Sequence, residues 1–169
     1  QKLKKAEDVG FSKAVRVAKA SKKILDKYKL TGFVKTSGKT GLHIYVPCSS
    51  MTFAQTRAAA ENLAQKINVL VPDISTVNES INQRGDNVYI DAGQNDYADT
   101  LAAPYCVRPY HQPLVSTPLD WAELNFKLDR YDFNLETIQA RLKKKGDLFK
   151  GVLDKKVISK NDMALKKLI

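Results

Sequence analysis

The residues best suited to chemistry in this sequence lie in Phe33-Val-Lys-Thr-Ser-Gly-Lys-Thr-Gly-Leu-His-Ile-Tyr-Val-Pro47. Two β-prone runs, 32–36 and 42–46, flank a turn of Ser37, Gly38, Lys39, Thr40 and Gly41, a pattern that predicts a β-hairpin. Ser37 and Thr40 offer hydroxyls, Lys35 and Lys39 offer positive charge, and His43 returns on the second strand six positions after Ser37. Gly38 and Gly41 permit positive φ and let a ligand approach bare amides. That inventory suits a polyanion such as a triphosphate. The plainer alternative is an ordinary exposed turn, which also collects glycine, lysine and hydroxyls. The Gly38-Lys39-Thr40 triplet is not a Walker A loop. The glycine that motif needs five residues before Gly38 is Phe33 here, and 42–46 reads as a strand where a P-loop opens a helix.

A second candidate is Asp91, at the end of the strand-like run Asn87-Val-Tyr-Ile-Asp91 and beside Gly93, Gln94 and Asn95. A carboxylate there can be held toward a cleft, although a lone aspartate in such a place is more often a turn-former than a metal ligand.

These residues need a scaffold. From Glu7 to about Leu30, Phe11, Ala14, Val15, Ala18, Ile24, Leu25 and Tyr28 recur at three- and four-residue steps, predicting an amphipathic helix that covers a sheet. Thr52-Phe-Ala-Gln55 has the form of a capping box opening a second helix through roughly Asn68, before Pro72. The polar stretch from Pro72 to Arg84 reads as a short helix or irregular connection, ending at the turn Arg84-Gly-Asp-Asn87. Thr100 to Arg108 reads as a strand with an edge or bulge at Pro104, and Val115 to Pro118 as a further extended piece. Asp120 is expected to cap a short helix carrying Trp121 and Leu124. Asn134 is expected to cap one that runs to about Lys144 and stops at Gly146, and a last turn or helix is expected over Asp162 to Leu168.

At 169 residues the chain suits a single domain, and no internal repeat or low-complexity linker divides it. The formal charge of +10 calls for an acidic partner, with nucleic acid or nucleotide leading, because no segment is apolar enough to span a bilayer. Runs such as Lys2 to Lys5 and Lys143 to Lys145 are otherwise ordinary solvated charge. Cys48 and Cys106, with no CxxC and only His43 and His111 besides, indicate neither a zinc site nor a disulfide framework. A reducing cytoplasm is the expected compartment. The charged amino terminus carries no signal peptide, and a start at Gln1 without methionine reads as part of a longer protein or a missing leader.

With these residues in hand the chain resembles the polymerase domain of bacterial DNA ligase D, in the archaeo-eukaryotic primase superfamily. Four ordered blocks carry the resemblance: 33–47, Val88-Tyr-Ile-Asp91 followed by Gln94-Asn95, Thr100 to Arg108, and Val115 to Leu124. The stretch from Arg141 to Phe149 is similar to that domain's usual end. The resemblance implies an α+β fold, a mixed and mostly antiparallel sheet flanked by helices, of which 1–169 would be the carboxyl-terminal part. It implies a nucleotidyltransferase of end-joining repair that adds nucleotides to DNA ends with Mg²⁺ or Mn²⁺. Its partners would be DNA ends, nucleoside triphosphates, a Ku-like end-binding protein and a ligase module.

Residue by residue, the resemblance makes Ser37 and His43 the phosphate-holding pair and Asp91 a catalytic, metal-binding carboxylate. Arg84 and Arg108 become phosphate contacts, and Gln94 a contact to the incoming nucleotide. These side chains are expected to converge on one cleft beside the sheet. The family's usual lysine falls at Thr40, with Lys39 one place earlier, and a second basic residue two after Arg108 is replaced by Tyr110. The family's Asp-x-Asp pair precedes the first helix. No such pair occurs in 1–5, and Glu7 and Asp8 are adjacent rather than alternate, so on a strand they would face opposite sides. Two-metal phosphoryl transfer clamps ions about 4 Å apart with several carboxylates, so this chain by itself is expected to bind rather than to extend. The competing reading is a non-catalytic nucleotide- or nucleic-acid-binding module, and a more distant one is an unrelated α/β protein.

Overall fold

The structure, a computed structural model, describes residues 2–109 and 111–169, with side chains from Asp8 onward. Tyr110 and the side chain of Glu7, both named above, lie outside the described residues.

The long amphipathic helix is α1 (Lys2–Lys27). It ends where Lys29 takes φ 56°, with Leu30 N–H donating to Leu25 O and Lys29 N–H to Asp26 O. That left-handed closure satisfies the last carbonyls and stops the helix before the expected Leu30. One side of α1 buries Phe11, Val15 and Ala18 against Val34, Leu119 and Phe133. The other buries Val17, Ile24 and Leu25 against Leu63, Ile67 and Leu165. The helix is thus the beam on which both halves of the core rest.

The predicted hairpin forms as β1 (Phe33–Thr36) and β2 (Leu42–Tyr45), antiparallel, with Val34 opposite Ile44 and Lys35 opposite His43. The second helix, α2 (Phe53–Leu70), opens on the predicted capping box, Thr52 and Gln55 each bonding the other's backbone. Then follow β3 (Ser75–Thr76) and β4 (Val88–Tyr89), paired in parallel, and β5 (Val107–Arg108) and β6 (Leu114–Val115), paired antiparallel. A seventh strand, β7 (Pro118–Leu119), runs antiparallel to the far edge of β1. Among the described residues the expected mixed, mostly antiparallel pairing is distributed over three ladders, of which one has three strands, in the order β2-β1-β7.

Three expectations need correction. The run 100–108 is a strand only at Val107–Arg108, because Tyr105 adopts positive φ and interrupts extension. The connection after Pro72 carries the expected short helix as a 3₁₀ turn over Ile81–Gln83, but it also contains β3, two residues long and too short to show a period. The final helix is α4 (Lys155–Leu165), not 162–168, and it opens where Asp154 accepts from Lys156 N–H. The helix α3 (Ile138–Lys145) does stop at Gly146, which takes φ 68°. Asn134 accepts from Glu136 and Thr137 N–H in the turn just before it, and Asp120 caps a short 3₁₀ turn over 121–123.

α4 then clamps the hairpin. Its fully buried Asn161 accepts from Thr31 N–H at 2.8 Å and donates to Thr31 O and Pro47 O, both at 3.0 Å. The neighbouring Asp162 carboxylate accepts from the Ser49 and Ser50 amides. The chain entering β1 and the chain leaving β2 are thus tied to one helical turn.

Candidate nucleotide site

The hairpin turn is preorganised from within. Ser37, 8 % exposed, accepts through Oγ from Lys39 N–H and Gly41 N–H, each at 3.1 Å, and its own amide donates to Gly41 O. With both lone pairs engaged, the Ser37 hydroxyl can only donate onward. Two of the turn's amides are thereby spent, so the expectation of bare amides facing a ligand fails at Lys39 and Gly41. Gly38 takes φ 75°, whereas Gly41 does not adopt positive φ. The Arg108 stem lies across the space a Gly38 side chain would fill, and its guanidinium reaches Ser37 O at 3.4 Å. Arg130, 2 % exposed, supports the turn from below, reaching Lys39 O at 3.4 Å and Asp8 at 3.9 Å.

Behind the turn sits a buried cation. Lys35 is 0 % exposed, and its Nζ bonds both Ser116 Oγ and His43 Nδ1, the latter at 3.1 Å. The face of Tyr45 lies 5.7 Å from the same nitrogen. Burial draws the Lys35 pKa down to about 8, with nearby Cys106 opposing and Arg108 adding to the fall. Burial also lowers His43, to about 4, and the positive charges of Lys35 and Arg108 act in the same direction. At neutral pH the imidazole is therefore uncharged and stands against a charged lysine.

His43, Asp91 and Gln94 line a single cavity of about 450 Å³ that opens between β2 and the segment after β4. Its floor is apolar, formed by α1 and α2 side chains such as Ala14, Val17 and Leu63. Asp91 is exposed, and its Oδ1 accepts from Gly93 N–H at 3.0 Å, the turn-forming role that such an aspartate often takes. The structure therefore brings His43, Asp91 and Gln94 to one cavity, and Ser37, Lys39 and Arg108 to the hairpin turn, which Lys35 and His43 link to it. Arg84 does not reach that cavity. It stacks on Tyr89 at 3.8 Å and donates to Asn78 O and Glu79 O, bracing its own loop.

Among the described residues no three or more His, Cys, Asp or Glu side chains gather as a metal site. Asp91 alone does not make a Mg²⁺ or Mn²⁺ centre, which needs several oxygen ligands.

Sequence reasoning counted Lys35 only as charge and passed over Ser116 and Arg130. The cross-strand register, Lys35 opposite His43, was a usable signal for the first, since directly opposed residues on a hairpin share a face. Nothing local marked Ser116 or Arg130, which arrive from elements distant in the chain.

Residues 6–149 match the family model described as LigD, primase-polymerase domain. The bifunctional non-homologous end joining protein LigD of Bacillus subtilis is 30 % identical over 138 residues, covering 80 % of this chain and 23 % of that protein. The multifunctional non-homologous end joining DNA repair protein LigD of Mycobacterium tuberculosis is 30 % identical over 147 residues, 86 % of this chain and 19 % of the relative. The chain thus spans about a fifth of the length of these relatives. A solved structure, the polymerase domain of Mycobacterium tuberculosis ligase D in complex with DNA, superposes with a TM-score of 0.77 at 28 % identity, covering 84 % of this chain and 50 % of that one. With a family match across most of its length and the same fold in a solved relative, the chain belongs to the LigD primase-polymerase domain family.

Proposed function

We propose that the hairpin and the adjoining cavity bind the triphosphate of a nucleotide destined for a DNA end, as part of a nucleotidyltransferase of end-joining repair. The observation that carries this reading is the Lys35–His43 pair, a buried cation hydrogen-bonded to a neutral imidazole that lines the cavity shared with Asp91. Ser37 supplies a hydroxyl that can only donate, and Arg108 supplies a guanidinium at the turn. Donors of this kind meet phosphate oxygens well, and charge-assisted ones do so most strongly. Gln94, on the cavity wall, would make a neutral contact with base or sugar. A Mg²⁺ or Mn²⁺ ion would find one ligand in Asp91, and the described residues do not complete its set.

The net charge of +10 suits a DNA partner, and the solved relative named above is a complex with DNA. A Ku-like protein and a ligase module belong to the same reading. The second reading, a module that binds nucleotide or nucleic acid without catalysis, is favoured by Asp91 being the one carboxylate at the cavity among the described residues.

Titration calorimetry with a nucleoside triphosphate, with and without Mn²⁺, tests the site. Arg108→Ala is expected to lose about 1.5–3 kcal/mol of binding free energy, the worth of a charged phosphate contact. Equal affinities in the two proteins would remove Arg108 from the site.

A further inference from the structure

We propose that Lys35 is a positioning residue that fixes the tautomer of His43, so that the imidazole presents its Nε2–H, and not a lone pair, to the anion in the cavity. The inference deepens the proposed function, since it rests on the reading that the cavity takes a triphosphate.

The argument follows the protons. Ser116 Oγ lies 2.8 Å from Thr36 O, and a carbonyl can only accept, so the hydroxyl hydrogen is committed there. The bond between Ser116 Oγ and Lys35 Nζ must then run from the lysine to the hydroxyl. An ammonium has three donors and no acceptor, so the Lys35 contact with His43 Nδ1 at 3.1 Å also runs outward from the lysine. His43 Nδ1 is therefore the acceptor, and in a neutral imidazole the proton sits on Nε2.

The geometry holding this chain of donors is rigid. Lys35 and His43 are directly opposed on the hairpin, Lys35 and Ser116 are both fully buried, and Thr36 O lies on the same strand as the lysine. A neutral His43 with the opposite tautomer would aim a lone pair at phosphate oxygens and repel them. The buried lysine thus determines whether the histidine attracts or repels the ligand, without touching the ligand itself.

Long-range ¹H–¹⁵N correlation spectra of the ¹⁵N-labelled chain at pH 7 test this, with His43→Gln identifying the His43 signals against those of His111. The expected result is a neutral imidazole protonated at Nε2. Protonation at Nδ1, or an imidazolium, would overturn the proposal, and the wild-type spectrum needs no variant to fold. In Lys35→Met the Nδ1–H form should appear and ATP affinity, by titration calorimetry, should fall about tenfold. Lys35→Arg, which keeps donors at this place, should retain the Nε2–H form.

In the His43→Gln background, Lys35→Met should change ATP affinity by less than about twofold, because the lysine acts through the imidazole. An unchanged tautomer in Lys35→Met, or an equally large loss in the His43→Gln background, would overturn the proposal. Should the wild-type chain bind no ATP, the triphosphate reading fails, while the spectrum still decides what Lys35 does to His43.

Discussion

At the scale of single residues, the turn discriminates between its two glycines. A side chain on Gly38 would place Cβ 2.5 Å from Arg108 Cγ and 3.2 Å from the Ser116 backbone nitrogen, at φ 75°. Gly41 has open space and no positive φ. Gly38→Ala should therefore cost about 1–3 kcal/mol in urea unfolding and displace Arg108, while Gly41→Ala should stay within about 0.5 kcal/mol. Glu123 makes a second residue-level case, this time with a pH dependence. Burial pushes its carboxyl up, but hydrogen bonds from Arg141, the Asp120 amide and Lys145 outweigh that and hold it down to about 2, against an ordinary 4.5. A depressed acid contributes stability that is fully present above its unfolded value and is lost as pH falls through the folded one. Glu123→Gln should destabilise by about 1–3 kcal/mol at pH 7, and the gap from wild type should narrow between pH 4.5 and about 2. At this scale residue type was legible in the sequence and environment was not. Lys35 and Arg130 look like any other basic residue in the chain, and only tertiary packing shows that neither is solvated.

At the scale of elements, the hairpin that carries the site is held as much by α4 as by its own ladder. Asn161 satisfies Thr31 N–H, Thr31 O and Pro47 O from a fully buried position. Its removal leaves three backbone groups without partners where water has little access. Asn161→Ala should accordingly cost about 2–4 kcal/mol, more than the roughly 1 kcal/mol expected for Asp154→Ala, which removes only the α4 cap. Equal losses in the two variants, read from urea midpoints with unchanged m-values, would show that the clamp adds nothing beyond the helix itself. The elements legible in the sequence were those with local signals: the period of α1, the glycine-centred hairpin, the Thr52–Gln55 box and the Gly146 stop. Those that escaped depend on partners far along the chain. Two-residue strands such as β3 exist only because β4 lies beside them, and the 100–108 run lost its extension to a backbone reversal at Tyr105 that no period announces.

At the scale of the whole molecule, binding and chemistry should come apart. On the proposed reading the positive charge that would attract DNA is spread over many lysines and arginines, so affinity for a short duplex with a single-stranded end should fall steeply with salt and survive Asp91→Ala. Nucleotide transfer is more demanding, because neutralising a triphosphate and activating a primer hydroxyl needs carboxylates arranged around metal ions, and the cavity gathers only Asp91 from the described residues. On the proposed reading the donors at the hairpin would hold phosphates without that set, since hydrogen bonding by Ser37, His43 and Arg108 does not depend on a second acid. The 169-residue chain is therefore expected to bind nucleoside triphosphate and DNA and yet to leave a labelled primer unextended in a gel assay with Mn²⁺ and all four nucleotides. Extension by the chain alone, abolished by Asp91→Ala, would mean that further carboxylates of this sequence reach Asp91 in solution. Extension indifferent to Asp91→Ala would move the chemistry out of this cavity altogether.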